Sequence, residues 1–240
     1  VRVTVNGDVN VSPEMAEQGI QLQTSVRTSV YYMGFNLLDP VVGGKTPEEQ
    51  RRARLLRQAI SIALDQEEFI SIFLNGRGQP GMGPIPPGIF GYQMGEAGIN
   101  PVVYTWKNGA PQRRSLDEAR ALMAQAGWRG GRDAKTGKPL VLSLDTTSGG
   151  LGDKATMDWM SRQLNQLGIQ LVVRSTDFNR FQEKLRKGSA QMYFLGWNAD
   201  YPDPENFFFL LYGPHGKVEH GGENASNYES PEFDTLFDRM

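Results

Sequence analysis

Apolar residues recur at helical spacing between Thr46 and Leu64, where Leu56, Ile60, Ala63 and Leu64 fall on one stripe. Thr46 is a capping residue, Pro47 suits the first helical position and Glu49 closes a capping box, so the pattern predicts a helix from Thr46 to Leu64. Asp65-Gln-Glu-Glu68 repeats the signal and launches a second helix carrying Phe69, Ile70, Phe73 and Leu74, which Asn75-Gly76 ends. From Gly76 to Gly98 there are eight glycines and four prolines, which exclude regular helix or a central strand. With Met82, Ile85, Ile89, Phe90 and Tyr92 spread along it, this Gly/Pro-rich segment, taken as 76–114, is expected to be a long ordered loop packed over something. Ser115-Leu-Asp-Glu118 opens a further helix through Leu122, Met123 and Ala126 that stops at Gly127.

The second half alternates. Leu140 to Leu144 reads as a strand, and Lys154 to Leu167 as a helix with Met157, Met160, Leu164 and Leu167 on one face. Ile169 to Val173 is again a strand, Phe178, Phe181 and Leu185 mark a helix closed by Gly188, and Gln191 to Leu195 is a third strand. A β-α-β-α-β order predicts parallel strands with right-handed crossovers, hence an α/β fold flanked by helices. The three strand-to-helix junctions, Thr146 to Lys154, Arg174 to Phe178 and Gly196 to Pro204, then share the carboxyl edge of the sheet, where open α/β proteins place ligands. Trp197, Asp200, Phe178 and Lys154 are expected to converge on that rim.

Composition narrows the choices. Lys and Arg number 25 against 27 Asp and Glu, a net charge of -2 with the signs intermixed, so no basic face for nucleic acid is expected. The apolar runs are far shorter than a membrane span, and cysteine is absent, which excludes disulfides and thiolate chemistry. Val1 to Asp8 reads as strand and turn, unlike an export signal, and Phe233 to Met240 begins a helix behind Ser230-Pro-Glu that stops without a cap. Both ends suggest a piece of a longer protein.

Each candidate residue has two readings. Asp200 either closes a turn before Pro202 or is free to meet a cation; Asp203, followed by Pro204, reads as a helix cap. Trp197 is either core or the wall of an apolar pocket beside an acid, and Phe178 either core or wall. Lys154, at a helix start where the dipole disfavours a cation, is either solvated or part of an anion site. His215 and His220, the only histidines, lack the spacing of a zinc site, and Gly76 to Gly83 lacks the lysine of a phosphate loop, so neither metal nor cofactor is expected. Asp200 with Glu205 leaves a glycoside hydrolase as an enzymatic alternative.

Five segments, in order, carry a resemblance: Tyr31-Tyr-Met-Gly-Phe-Asn36, Arg57-Gln-Ala-Ile-Ser-Ile-Ala-Leu-Asp-Gln66, Gly83-Pro-Ile-Pro-Pro87, Ala126-Gly-Trp128 and Gly196-Trp-Asn-Ala-Asp-Tyr-Pro-Asp-Pro204. Together they resemble the family 5 extracellular solute-binding proteins, the peptide receptors of bacterial ABC importers. The resemblance implies a type II periplasmic-binding-protein-like lobe with a mixed sheet, spanning 1–240 as the second ligand-binding lobe, with 1–36 as hinge-proximal strands. It implies a non-catalytic protein on the periplasmic or extracellular face of the cell membrane that captures an extended peptide by hinge closure. Its partners would be the peptide or another small solute, the ABC permease and the N-terminal lobe of the same protein, with the receptor a monomer.

The resemblance also supplies roles. The acid at Asp200 pairs with the ligand α-ammonium and Trp197 lines a side-chain pocket. Lys154 stands where dipeptide binders carry an arginine for the ligand carboxylate, although lysine lacks the bidentate fork. Phe178 stands where some members have a pocket tryptophan, and the backbone of Asn198 and Ala199 pairs with the ligand as an added strand. A sugar, opine or metal chelate remains the alternative solute, and an interaction module that docks on a permease or chemoreceptor a further possibility.

Overall fold

The computed structural model describes residues 2–3, 9–23, 25–150 and 153–240. Near the start, β1 (Arg2–Val3) pairs antiparallel with β2 (Val9–Asn10), followed by the short helix α1 (Pro13–Glu17). The turn expected to end at Asp8 lies outside the described residues. The segment 1–36 is thus only partly strand: among the described residues β1 and β2 pair only with each other, and β3 (Ser29–Phe35) joins the main sheet.

Local signals set the helices that follow. In α2 (Pro47–Ala63) Thr46 accepts from the Glu49 amide while Glu49 reaches back to the Thr46 amide, the expected box. In α3 (Gln66–Leu74) only half of the signal is used. Asp65 accepts from the Glu68 amide at 2.9 Å, but the Glu68 carboxylate turns inward to accept from Trp159 Nε1 at 2.8 Å and Gln163 Nε2 at 2.6 Å. Two buried donors outcompete a solvated backbone amide.

The loop expected over 76–114 is interrupted. Residues 76–94 contain no helix or strand, but β4 (Tyr104–Lys107) and β5 (Ala110–Arg113) form a hairpin. Asn108 and Gly109 connect them with φ of 53° and 78°, the pair of left-handed residues that a two-residue hairpin turn requires. In the loop Pro86 and Ile89 are buried, whereas Phe90 is 85% exposed. Next, α4 (Leu116–Gln125) carries the expected Ser115/Glu118 box.

The remaining elements are β6 (Val141–Thr147), α5 (Lys154–Asn165), β7 (Gln170–Thr176), α6 (Phe178–Arg186), β8 (Met192–Asn198), α7 (Glu205–Phe208), α8 (Lys217–His220) and α9 (Pro231–Phe237). The main sheet has the order β3-β8-β6-β7. As expected, β6 is parallel to both β7 and β8; β3 runs antiparallel to β8, so the sheet is mixed. One face of the sheet, with Leu142, Leu144 and Met192, packs under α2, α4 and α5. The other, with Tyr193, Tyr32 and Leu195, packs on Phe181 and Leu185 of α6. Among the described residues no helix is long and apolar enough to cross a membrane.

Two contacts lock this arrangement. Tyr193 lies directly opposite Gly34, and its buried ring fills the space a side chain on Gly34 would occupy. On the same face, Asp145 is 0% exposed and its Oδ1 takes a hydrogen bond from Lys184 Nζ at 2.5 Å, tying β6 to α6. Asp145 Oδ2 has no partner among the described residues, so the pair's balance is delicate.

Gly34→Ala, which drives a methyl into the Tyr193 ring, is expected to lower stability by about 1–3 kcal/mol, read as a lower urea midpoint with the slope unchanged. Lys184→Met should cost about 3 kcal/mol or more by leaving a buried carboxylate alone. Adding Asp145→Asn to that variant should recover much of the loss in the same titration, because the uncompensated charge is then gone.

Candidate functional site

The strand β8 is longer than its apolar run. Continuing the register from Asp145↔Tyr193 puts Thr147, the last residue of β6, level with Leu195, so Gly196, Trp197 and Asn198 run beyond the parallel part of the sheet. What the sequence places in a strand-to-helix junction is therefore strand through Asn198, held there by β3, where Ser29 pairs with Asn198. The junction proper is 199–204.

The two edges of this projecting segment differ. Gln191 C=O accepts from Asn36 N at 3.0 Å and the Ala199 amide donates to Thr28 C=O at 2.9 Å, so the odd-numbered positions of β8 face β3. Gly196 and Asn198 therefore direct their backbone groups the other way. There β6 has already parted from β8, and among the described residues no strand pairs with them. Of the expected ligand-pairing backbone, the Ala199 N–H is thus taken by Thr28, while the backbone groups of Gly196 and Asn198 have no strand partner among the described residues. A Cβ on Gly196 would stand 2.7 Å from Tyr31 Cδ1, so the ring of Tyr31, 60% exposed, covers Gly196 on the opposite face from Trp197.

Asp200 is exposed. Its amide donates to Asn206 Oδ1 at 2.8 Å, while its carboxylate has no hydrogen bond or ion pair among the described residues. The neighbouring acids are engaged: Asp203 Oδ1 accepts from the Glu205 amide at 2.9 Å, closing the turn into α7, and Glu205 accepts from the Tyr201 hydroxyl. That bond to Glu205 holds the Tyr201 hydroxyl above its usual pKa. Asp203 thus closes a local turn before α7 instead of capping the helix as expected, because the helix starts one residue later with Pro204 at the cap position, and the proposed acid pair Asp200/Glu205 has one member occupied.

Trp197 is half-buried. Its Nε1 donates to Asn206 Oδ1 at 3.3 Å and its ring meets Phe209 edge-on, with centroids 5.1 Å apart. Phe178, the first residue of α6, is 61% exposed, which removes its core reading and leaves a bare ring at the carboxyl edge. Lys154 opens α5, but its ammonium is 2.5 Å from Asp158 Oδ2, and the helix amides next to it are capped by Asp153, which accepts from Thr156 N at 2.9 Å. A capping carboxylate and a paired lysine argue for the solvated reading of Lys154.

Sequence reasoning missed Asn206 and Phe209. Asn206 is 2% exposed, and an amide inside the apolar run Glu205-Asn-Phe-Phe-Phe-Leu-Leu211 is the signal that could have found it, because a buried amide must be hydrogen-bonded. The histidines have structural places: His215 is packed edge-on by Phe209 and Tyr212, and His220 lies beside Glu219. No group of three metal-ligating side chains occurs among the described residues. Two concavities lie elsewhere, one along Asn179, Arg180, Glu183 and Arg186 of α6, the other a recess of about 230 Å³ between Asp65, Glu68, Arg113 and Gln163. On the rim itself Asp200 and Phe178 are exposed and Trp197 is half-buried.

Comparisons with known proteins agree with this architecture. The periplasmic oligopeptide-binding protein OppA of Salmonella typhimurium is 25% identical over 181 residues, which is 75% of this chain and 30% of that protein. The heme-binding protein A of Haemophilus influenzae is 23% identical over 220 residues, 90% of this chain and 34% of its own length. Among solved structures, the ABC transporter-associated periplasmic binding protein DppA of Helicobacter pylori, in complex with the peptide STSA, superposes with a TM-score of 0.69 at 22% identity, covering 89% of this chain and 35% of that one. The oligopeptide-binding protein AppA of Bacillus subtilis, in complex with a nonapeptide, gives 0.66 at 21% identity over 90% of this chain and 39% of its own. The chain thus spans about a third of the length of the relatives it matches, and its fold is that of the type II periplasmic binding proteins. The model of the bacterial extracellular solute-binding proteins, family 5 middle, matches residues 4–218, and the chain belongs to that family.

Proposed function

We propose that this chain is the second ligand-binding lobe of a non-catalytic receptor that captures extended peptides outside the cytoplasm and delivers them to an ABC importer. The observation that carries the reading is Asp200. Its carboxylate has no partner among the described residues and lies on a turn that follows a strand projecting past the sheet, while the neighbouring acids Asp203 and Glu205 are both bonded. A peptide α-ammonium meeting it would form a charge-assisted hydrogen bond, contributing about 1.5–3 kcal/mol once water is excluded. Trp197 and the exposed Phe178 offer apolar walls for side chains, and the outward backbone of Gly196 and Asn198 offers an edge along which the peptide lies as an added strand. The names of relatives, oligopeptide- and dipeptide-binding proteins, support the same ligand class.

Capture proceeds by closure of this lobe on an N-terminal lobe of the same polypeptide. Ligand contacts on both sides favour the closed state, and only the difference in affinity between closed and open states drives the shift. The closed, monomeric receptor then docks on the permease from the periplasmic or extracellular face. A second reading, a solute other than a peptide, is favoured by one observation: a relative of similar coverage is named a heme-binding protein.

Asp200→Ala in the full-length receptor is expected to weaken peptide binding by about 10- to 150-fold, the equivalent of one charge-assisted hydrogen bond. Isothermal titration measures this; unchanged peptide binding would reject Asp200 as the amine anchor, and a preference of the unaltered receptor for a non-peptide solute would favour the second reading. The isolated chain, having half of the contacts, should bind the same peptides more weakly than the micromolar range; micromolar heats from the fragment would refute the division of the site between two lobes.

A further inference from the structure

The buried amide of Asn206 stands directly behind the candidate anchor. It sits on α7 beside Phe207, which is 0% exposed, so its position is fixed by the core rather than by the surface turn. Its Oδ1 accepts two hydrogen bonds, one from the Asp200 amide at 2.8 Å and one from Trp197 Nε1 at 3.3 Å. An amide oxygen offers two lone pairs, and both are used. The two residues that line the rim are thus tied to one atom inside the protein. The turn between them and α7 is closed by Asp203 accepting from the Glu205 amide and by Tyr201 donating to Glu205, which leaves the Asp200 side chain as the unengaged acid of the segment.

We infer that Asn206 is a positioning residue for the amine anchor: by holding the Asp200 backbone and the Trp197 indole to a single buried acceptor, it aims the carboxylate and the pocket wall at the same ligand end. The inference rests on the reading of Asp200 given above. Its physical content is preorganisation. An exposed aspartate on an unheld turn would lose conformational freedom on meeting an ammonium, and a turn already fixed from beneath removes part of that cost before the ligand arrives. Loss of the acceptor would also leave two donors unsatisfied, so the turn and the indole would drift independently.

The test uses the full-length receptor with trialanine and pentaalanine, each compared with its N-acetylated form. The unaltered receptor is expected to prefer the free amine by about tenfold or more, the worth of a charge-assisted contact. Asn206→Ala should cut that preference by about fivefold, the worth of one ordinary hydrogen bond, because the free amine loses the aimed carboxylate as well as the held indole whereas the acetylated peptides lose only the latter. A purely structural role would weaken both forms equally and leave the preference intact, which would overturn the inference. If the unaltered receptor shows no preference, the amine-anchor reading itself falls and takes this one with it. Should alanine at this buried site prevent folding, amide exchange in the unaltered receptor decides: the Asp200 amide should exchange far more slowly than that of Tyr201, and equally fast exchange would refute the bond to Asn206.

Discussion

The antiparallel seam between β3 and β8 is the constraint on which the rest of the structure depends. It pairs every residue from Ser29 to Phe35 with one from Asn198 to Met192, joining segments separated by most of the chain. Closing so long a loop is entropically costly, and the return comes from a full ladder plus burial on both faces. Alternation along β8 sends Met192 and Phe194 into the core under α2 and α5, and Tyr193 and Leu195 against α6, so a slip of one residue would invert both packings. Two glycine positions exclude that slip: Gly34 accepts the ring of Tyr193, and Gly196 the ring of Tyr31. The end of the seam is fastened by Asn36, whose Nδ2 donates to Gly188 C=O at 3.0 Å and Ala190 C=O at 3.1 Å while its Oδ1 accepts from Asn227 at 3.1 Å.

The same seam creates the rim. Without β3, nothing would hold β8 in extended form past the end of β6, and Trp197 and Asn198 would belong to an ordinary loop. With it, one edge of the projecting segment is satisfied and the other is left open, which is the physical difference between a structural strand and a strand that offers its edge. The polar tie through Asn206 then extends this order into the turn, so rigidity passes from the sheet to Asp200 by way of one buried amide.

Much of the fold was legible because its signals are local. The boxes at Thr46/Glu49 and Ser115/Glu118, and the β6-α5-β7-α6-β8 order, need only neighbours in sequence to be read. Glu68 broke the pattern because its carboxylate serves Trp159 and Gln163, side chains far away in sequence. The hairpin at Tyr104 to Arg113 carried a readable Asn108-Gly109 turn, masked by the glycines and prolines before it and by Pro111 within its second strand, a residue tolerated there because β5 pairs on one side only. At the site, the occupation of Asp203 was foreshadowed by Pro204, whereas for Asp200 the residues alone left a turn role and a free acid both open. The exposure of Phe178, the pairing of Lys154 with Asp158 and the use of the Ala199 amide by Thr28 depend on three-dimensional neighbours that periodicity does not encode.

Under the proposed reading, the openness of the rim is part of the mechanism rather than a deficiency. An ion pair on an exposed face is worth only about 0–1 kcal/mol, because water solvates both charges and salt screens them. The same pair with water excluded is worth about 1.5–3 kcal/mol. Asp200 therefore gains little from an ammonium while the face is open and more once a second surface covers it. That increment exists only when ligand and closure occur together, so it biases the receptor toward the closed state in the presence of peptide and not in its absence. A deeply buried aspartate would have bound more firmly in the open form and coupled less. Under that reading, the exposed carboxylate, held from behind but free in front, would turn a weak surface contact into a signal for closure.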